Sequence, residues 1–227
     1  MKKLNQFIIE KLKLSKNDKI QEYNYHPQTK DELYKLIDKL IKERGNDADL
    51  NDIDTSLITN MSVLFSYQIL KKFNGDISKW NVSNVEDMGG MFWGSNFNGD
   101  ISDWNVSKVK IMKYMFSESS FNQDISEWDV SKVENMESMF EESEFNKDIS
   151  DWNVSNVKDM NSIFFNSKFN QDISNWNVSN VKDMRYMFSN SKFNQDISDW
   201  KINLICFTED MFKNSPLEKN PPAWYKK

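Results

Sequence analysis

The sequence predicts an α/β repeat solenoid with a helical cap at its N-terminal end. Three observations predict it: a 24-residue unit that recurs without insertion, an apolar pattern of helical spacing inside each unit, and a different pattern before the units begin. The first full unit, residues 73–96, reads FNGDISKWNVSNVEDMGGMFWGSN, and residues 97–120 read FNGDISDWNVSKVKIMKYMFSESS. A single unit is too small to bury its own apolar side chains, so neighbouring units are expected to cover one another.

Residues 1–50 are predicted to form a helical region and cap. The first helix has Leu4, Phe7, Ile8, Leu12 and Leu14 on one face. A second helix begins near Thr29 and ends at Gly45, where glycine favours termination. Its apolar face is expected to cover the open end of the repeats. That face consists of Leu33, Leu36, Ile37, Leu40 and Ile41.

Residues 51–215 are predicted to be the repeat domain. A partial unit comes first, in which Asp54, Ile58, Met61 and Phe65 match the second half of the pattern. Six units follow, and the last is degenerate after Trp200. They begin at Phe73, Phe97, Phe121, Phe145, Phe169 and Phe193. Ile202, Leu204, Ile205, Met211 and Phe212 keep the apolar pattern loosely in the degenerate part.

Residues 216–227 are predicted to be a proline-rich cap or tail. Pro216, Pro221 and Pro222 have no amide N–H, so they cannot continue a helix or a ladder of hydrogen bonds. The three predicted regions are therefore a cap, a repeat domain and a closing tail.

Each unit is predicted to contain one short extended segment and one short helix. In the first unit, Val85, Met88, Met91 and Phe92 have the spacing of one helical face. The preceding residues are too short a segment, and too rich in Asn, Asp and Ser, for a helix. They are expected to be extended with turns on either side.

The columns of identical residues indicate core and turns. The Trp, Phe, Ile, Val and Met columns recur in every unit and are predicted to be core. The Asp column could hold Ca²⁺ or accept main-chain N–H bonds at a turn, and one Asp per unit favours the turn. The Asn column is predicted to form a ladder. The Asp column is Asp76, Asp100, Asp124, Asp148, Asp172 and Asp196, and the Asn column is Asn74, Asn98, Asn122, Asn146, Asn170 and Asn194.

Composition excludes several classes of function. A formal net charge of -6 and a pI near 5.0 argue against a nucleic-acid-binding surface. One cysteine and one histidine leave no Cys or His cluster for a metal and no nucleophile–base pair, so no cofactor, metal ligand or catalytic residue is predicted. No stretch is long and apolar enough for a membrane span or a signal peptide, which predicts a cytoplasmic protein.

The positions that vary between units are the candidates for a functional surface. They lie beside the Met-Phe pair of each unit, where stacking does not dictate the residue. Aromatic and arginine side chains at such positions are typical anchors of protein interfaces, although they could equally pack sideways onto the next unit. The candidates for partner binding are Trp93, Tyr114, Phe165, Arg185 and Tyr186.

The repeats also resemble a known family. The stretch FNQDISEWDVSKVENMESMF, residues 121–140, is similar to the bacterial surface-protein repeats of mycoplasmas and to BspA-like, leucine-rich-repeat-type proteins. DLNDIDTSLITNMSVLF, residues 49–65, resembles that family's opening unit. The resemblance spans roughly residues 50 to 215 and implies a leucine-rich-repeat-like solenoid with an adhesive or protein-binding role, often at the cell surface. It supplies no catalytic residues.

The sequence therefore predicts a monomeric, non-catalytic protein-interaction or adhesion module with an unidentified protein partner. Two alternatives stay open: a calcium- or glycan-binding solenoid, and a structural component of a virion or mobile element. An enzyme is not expected, because no unit between Phe73 and Trp200 carries a lone polar residue at a core column.

Overall fold

A computed structural model describes residues 23–66 and 70–226. Its first element is helix α1, Lys30–Arg44. The Thr29 side chain accepts a hydrogen bond from the Glu32 amide, and Gly45, at a φ of 91°, follows the last turn. This confirms the predicted second helix, because both the cap and the terminating glycine lie where the sequence places them. The predicted first helix, over Leu4 to Leu14, lies outside the described residues.

Helix α1 covers the first end of the repeats. Leu33, Ile37 and Leu40 are fully buried and belong to one continuous core with the repeat residues. The Lys30 ammonium donates to the Ser62 hydroxyl at 2.7 Å, which places the start of the helix beside the first unit. The apolar face of α1 therefore supplies the covering surface that a terminal repeat requires.

Single parallel β-bridges join each unit to the next. The bridge residues recur every 24 residues from Asp87 onward. Asn60 pairs with Asp87 across a longer step of 27 residues, and two further bridges extend the pairing back to residue 25, inside the predicted cap. The bridges are Tyr25–Ile53, Asp49–Asp76, Asn60–Asp87, Asp87–Ile111, Ile111–Asn135, Asn135–Asp159, Asp159–Asp183 and Asp183–Phe207.

The short helix predicted in each unit is wrong. Besides α1, the described residues contain only one helix, the 3-10 helix Pro216–Glu218. The Met91 amide donates three residues back to Met88, but the Met88 and Gly90 amides donate to Ile111 and Lys113 in the next unit. Alternate amides thus face the neighbouring unit and cannot donate four residues back. The apolar spacing reflects consecutive turns, not a helix.

Aromatic ladders form the core. Phe92 lies 5.6 Å from Phe116 between ring centroids, with planes 2° apart, and the same stacking continues along the units. Phe92 also stacks at 4.4 Å on Phe97, the first residue of the next unit. Both columns are fully buried, which confirms their assignment to the core. Rings stacked in this way give each unit an apolar surface that matches the next.

The Trp column adds a hydrogen bond to each step. The Trp104 indole N–H donates to the Ile77 carbonyl at 3.2 Å, and the later tryptophans repeat this bond. Trp224, in the predicted tail, donates in the same way to Ile197 and stacks on Trp200 at 6.3 Å. The tail therefore continues the Trp column by one more step. The repeating bonds are Trp128–Ile101, Trp152–Ile125, Trp176–Ile149 and Trp200–Ile173.

The degenerate last unit departs from the predicted core. Met211 and Phe212 are buried, but Leu204 is 99% exposed and Ile205 is 71% exposed. The Asn203 side chain accepts a bond from the Ile205 amide, whereas earlier units form this turn directly after the Trp, as at Asn177. The shifted turn redirects the chain, so Leu204 and Ile205, which were expected to keep the apolar pattern loosely, lie outside the core.

Candidate partner-binding face

The candidate residues lie on a surface that we call the variable face. It comprises residues 89–94, 113–118, 137–142, 161–166 and 185–190, each segment following a bridge residue. Every segment buries its Met-Phe or Ile-Phe pair. The glycines and Ser117, Ser138 and Ser189 are also buried, and the other flanking side chains are half-buried or exposed. The repeat thus fixes the backbone of this face while its outer side chains change from unit to unit.

The backbone of the variable face is left-handed at two positions in each unit. Gly90 has a φ of 61°, and Tyr114, at the same position of the next unit, has a φ of 57°. A left-handed bulky residue is uncommon, because its Cβ approaches the main chain closely. The residues at these two positions are Gly90, Tyr114, Ser138, Ser162 and Tyr186, and Gly94, Glu118, Glu142, Asn166 and Asn190.

Trp93 and Tyr114 are brought together. Their ring centroids are 6.1 Å apart, with planes at 41°, and both side chains are half-buried. The Trp93 indole N–H donates to Glu118 at 3.3 Å, and the Tyr114 hydroxyl donates to Glu137 at 2.8 Å. Burial, and secondarily the Glu137 carboxylate, raise the pKa of Tyr114 to about 12. The aromatic pair is therefore held by carboxylates and stays neutral.

Carboxylates surround this aromatic pair. Glu141 is half-buried, and its burial raises its pKa above the ordinary value, with Glu142, Glu118 and Glu137 adding repulsion and a Ser138 hydrogen bond opposing it. Desolvation and like charge both disfavour an ionised carboxylate. A cation placed near these side chains would relieve that repulsion.

A shallow concavity lies beside the aromatic pair. Trp93 and Tyr114 line it together with Val63, Gly89 and Gly90. A Cβ added at Gly90 would lie 3.1 Å from the Val63 side chain, so this space depends on glycine. The remaining lining residues are Ser62, Asp87 and Lys113.

The other three candidates lie further along the variable face. Phe165 and Tyr186 are half-buried in successive units. Arg185 makes a forked ion pair with Asp183, with two of its nitrogens on the carboxylate, and its guanidinium lies 5.6 Å from the centroid of the Phe207 ring. Its pKa is raised chiefly by that bond to Asp183. Arg185 therefore has partners within the chain, and only its outer surface can meet another molecule.

Glu118 and Glu137 were missed by the sequence reasoning. Each follows its aromatic partner by about one repeat length, 25 residues for Trp93 to Glu118 and 23 for Tyr114 to Glu137. Residues one repeat apart become neighbours when units stack, and that spacing was the signal that could have identified them.

The Asp column forms turns, and the Asn column joins each unit to the next. Asp124 accepts the Ser126 amide at 2.9 Å, and the Asn98 side chain accepts the Asn122 amide at 2.8 Å. Both predictions, of Asp in turns and of an Asn ladder, are confirmed. Bonds of the same kind are formed by Asp76, Asp100, Asp148, Asp172 and Asp196 and by Asn74, Asn122, Asn146 and Asn170.

Residues 23–66 and 70–226 contain no group of three or more His, Cys, Asp or Glu side chains placed to hold a metal ion. Within the same ranges, no helix has the length and apolar character needed to cross a membrane.

A family model matches two overlapping parts of the chain, residues 35–144 and 118–224. Its description is Mycoplasma protein of unknown function, DUF285. The chain belongs to the DUF285 family. The match begins inside α1 and extends to Trp224, so the DUF285 region includes both ends of the repeat core. Comparison with curated proteins and with solved structures gave no match.

Proposed function

We propose that this DUF285 chain is a non-catalytic protein-binding module whose variable face recognises a protein partner. The observation that carries the proposal is the aromatic pair Trp93–Tyr114, held half-exposed beside Glu118, Glu137 and Glu141. Aromatic side chains with restricted motion are effective interface anchors, because little side-chain entropy is lost on binding.

Backbone strain supports the same proposal. Tyr114 and Tyr186 occupy a left-handed position that glycine fills in the first full unit, and each costs about 1–2 kcal/mol there. The same left-handed backbone recurs at Ser138 and Ser162, so the repeat fixes it, and glycine is the residue that stability alone would favour there. The two tyrosines therefore fit a role in binding better than a role in stability.

The supporting scaffold is, in this proposal, a leucine-rich-repeat-like solenoid of the BspA-like type. The parallel bridges and ring ladders at 24-residue steps are what such a scaffold requires. A solenoid would present the segments of the variable face side by side to one partner. An adhesive role at a cell surface follows from the same resemblance.

The calcium alternative is not favoured. The Asp124 and Asp100 carboxylates accept amide hydrogen bonds from Ser126 and Ser102 in their own turns, and these bonds hold the pKa of both carboxylates low. Ca²⁺ needs several oxygen ligands converging on one point. One turn-bound carboxylate per unit supplies no such group.

The test is a comparison of three immobilised proteins in a native cell lysate, read by quantitative mass spectrometry. They are the wild type, a face variant and a control variant with exposed changes in the same four units. The face variant carries Trp93→Ala, Tyr114→Ala, Phe165→Ala and Tyr186→Ala. The control carries Lys79→Ala, Asp103→Ala, Asp151→Ala and Asn175→Ala.

The expected result is a protein captured by the wild type and the control and lost from the face variant. The purified partner should then bind the face variant about tenfold or more weaker in titration calorimetry. Thermal melting of all three proteins checks that the variants are folded. Equal binding to the face variant and the wild type would overturn the proposal.

A further inference from the structure

The last unit has an exposed apolar edge. Leu204, Ile205 and Phe207 are 99%, 71% and 63% exposed, and among the described residues the only other exposed large apolar side chains are Leu57 and Val63 in the first unit. One repeat earlier, Asn180 and Asp183 occupy the positions of Leu204 and Phe207. In the units between the two ends, the residues equivalent to Leu204 and Phe207 are thus polar or form a β-bridge with the following unit.

The main chain at this edge has open hydrogen-bonding groups. Phe207 is the last bridge residue: its amide donates to Lys182 at 2.9 Å and its carbonyl accepts from Met184 at 2.8 Å. In every earlier unit, the residues on either side of the bridge residue bond to the following unit. The equivalent groups here, the Cys206 carbonyl and the Thr208 amide, have no main-chain partner among the described residues.

The tail covers only the other half of this end. Trp224 stacks on Trp200 and donates to Ile197, so it closes the Trp side of the last unit. Residues 204–208 lie on the side that it leaves uncovered, as the exposure of Leu204 and Phe207 shows. At the opposite end, Tyr25 pairs with Ile53 and α1 is packed against the core, so the two ends differ.

We propose that the edge at Cys206–Thr208 pairs with the same edge of a second copy across a two-fold axis. An antiparallel bridge centred on Phe207 needs the Thr208 amide of each copy to donate to the Cys206 carbonyl of the other. The open groups are these two, so the edge is self-complementary, as a two-fold interface requires.

The side chains at the edge suit the same partner. Phe207 would lie opposite Phe207 of the second copy, and Leu204 and Ile205 would pack around this contact. Apolar surface of both copies would thereby be removed from water. The bridge also continues the pairing already formed between Asp183 and Phe207. This inference replaces the monomer predicted from the sequence with a tail-to-tail dimer and is independent of the variable face.

Sedimentation of the purified chain over a dilution series tests the dimer. The apparent mass of the wild type should rise with concentration from 26.9 kDa towards twice that value. Leu204→Asn combined with Phe207→Asp restores the residues of the preceding unit, and it should weaken association about tenfold or more, because carboxylates would meet in the contact. Leu57→Asn is the matched control, because Leu57 occupies the equivalent position of the partial unit at the other end, and it should leave association unchanged.

Disulfide trapping tests the register. In a Cys206→Ser background, Phe207→Cys should cross-link two copies under mild oxidation, because paired antiparallel residues of this type bring their Cβ atoms close. Leu57→Cys in the same background should not cross-link. A wild type that stays at one chain's mass at every concentration would overturn the proposal. A dimer that survives the double variant, or equal cross-linking at both positions, would also overturn it.

Discussion

The indole N–H of Trp224 donates to the carbonyl oxygen of Ile197 at 2.9 Å, although Trp224 lies in the proline-containing tail. The same bond joins Trp152 to Ile125 in the middle of the repeats. The tail is therefore held by the interaction that joins the units, and a single type of contact extends through most of the chain.

Replacing one of these tryptophans with phenylalanine should destabilise the protein more in the middle of the repeats than in the C-terminal tail. Trp152→Phe removes one of the two donors to the buried Ile125 carbonyl, which keeps only the Trp128 amide, and leaves space in the packed core, so we expect the free energy of unfolding to fall by about 1–3 kcal/mol. Trp224→Phe should cost less than about 1 kcal/mol, because Trp224 is only half-buried and its replacement disturbs less packed core. Denaturant unfolding measures both, and equal losses would contradict the account.

Glycine should stabilise the chain at the left-handed positions. Glu142 has a φ of 53° and an exposed side chain, so Glu142→Gly relieves the backbone and should raise the free energy of unfolding by about 0.5–1 kcal/mol. Lys147→Gly, an exposed position outside the left-handed region, is the control and should be destabilising. The two melting temperatures should shift in opposite directions, and a shift in the same direction would show that the strain is not relieved.

The stability contribution of Glu141 should depend on pH. Burial raises its pKa above the ordinary 4.5, so folding favours the protonated form and stability falls as the pH rises through the raised pKa. Glu141→Gln should therefore stabilise the protein at pH 7 and have little effect below pH 4.5. Unfolding at the two pH values tests this.

Glu134→Gln is the control of opposite sign for that measurement. Lys158 donates to the Glu134 carboxylate and lowers its pKa, so this change should not stabilise at neutral pH. A gain at pH 7 for both variants would mean that the effect of Glu141→Gln is not caused by burial.

The Asp column should make the protein sensitive to acid. The Ser126 amide donates to Asp124 and lowers its pKa below the ordinary 3.8, so this contribution is present above that pH and is lost as the pH falls through the lowered pKa. Asp124→Asn keeps an acceptor for the amide and should destabilise less at pH 7 than Asp124→Ala. Chemical unfolding measures the stability of both variants. If Asp124→Asn were the less stable of the two, the hydrogen bond in the turn would not explain the Asp column.

The regular part of the fold could be predicted from the sequence, and the departures could not. Thr29 and Gly45 bound α1, and the Phe and Trp columns form the core, because caps and identical spacing are local signals. The predicted helix at Met88 was wrong, because helical spacing and consecutive turns place the same residues on one side. The position of the next unit decides which amides donate hydrogen bonds to it. The sequence of a single unit does not reveal that position.

The candidate site was predictable in its aromatics but not in their setting. The residue type at the positions of Trp93 and Tyr114 varies between units, which indicates that these side chains are not core. Their hydrogen bonds to Glu118 and Glu137 could not be predicted, because they depend on which residues of the next unit stacking places beside them. The exposure of Leu204 was also unpredictable, because it follows from a turn formed at Asn203.

Deletion of a whole unit tests most directly the central claim, that each unit folds against the next in a fixed 24-residue register. Removing residues 121–144 joins Ser120 to Phe145 and keeps every column continuous. We predict a folded protein with one cooperative transition and lower stability, because one interface is lost. Removing residues 121–132 alone shifts every later column by half a unit and should prevent folding. Circular dichroism and denaturant unfolding of both deletions decide the matter: similar behaviour of the two proteins would contradict the claim.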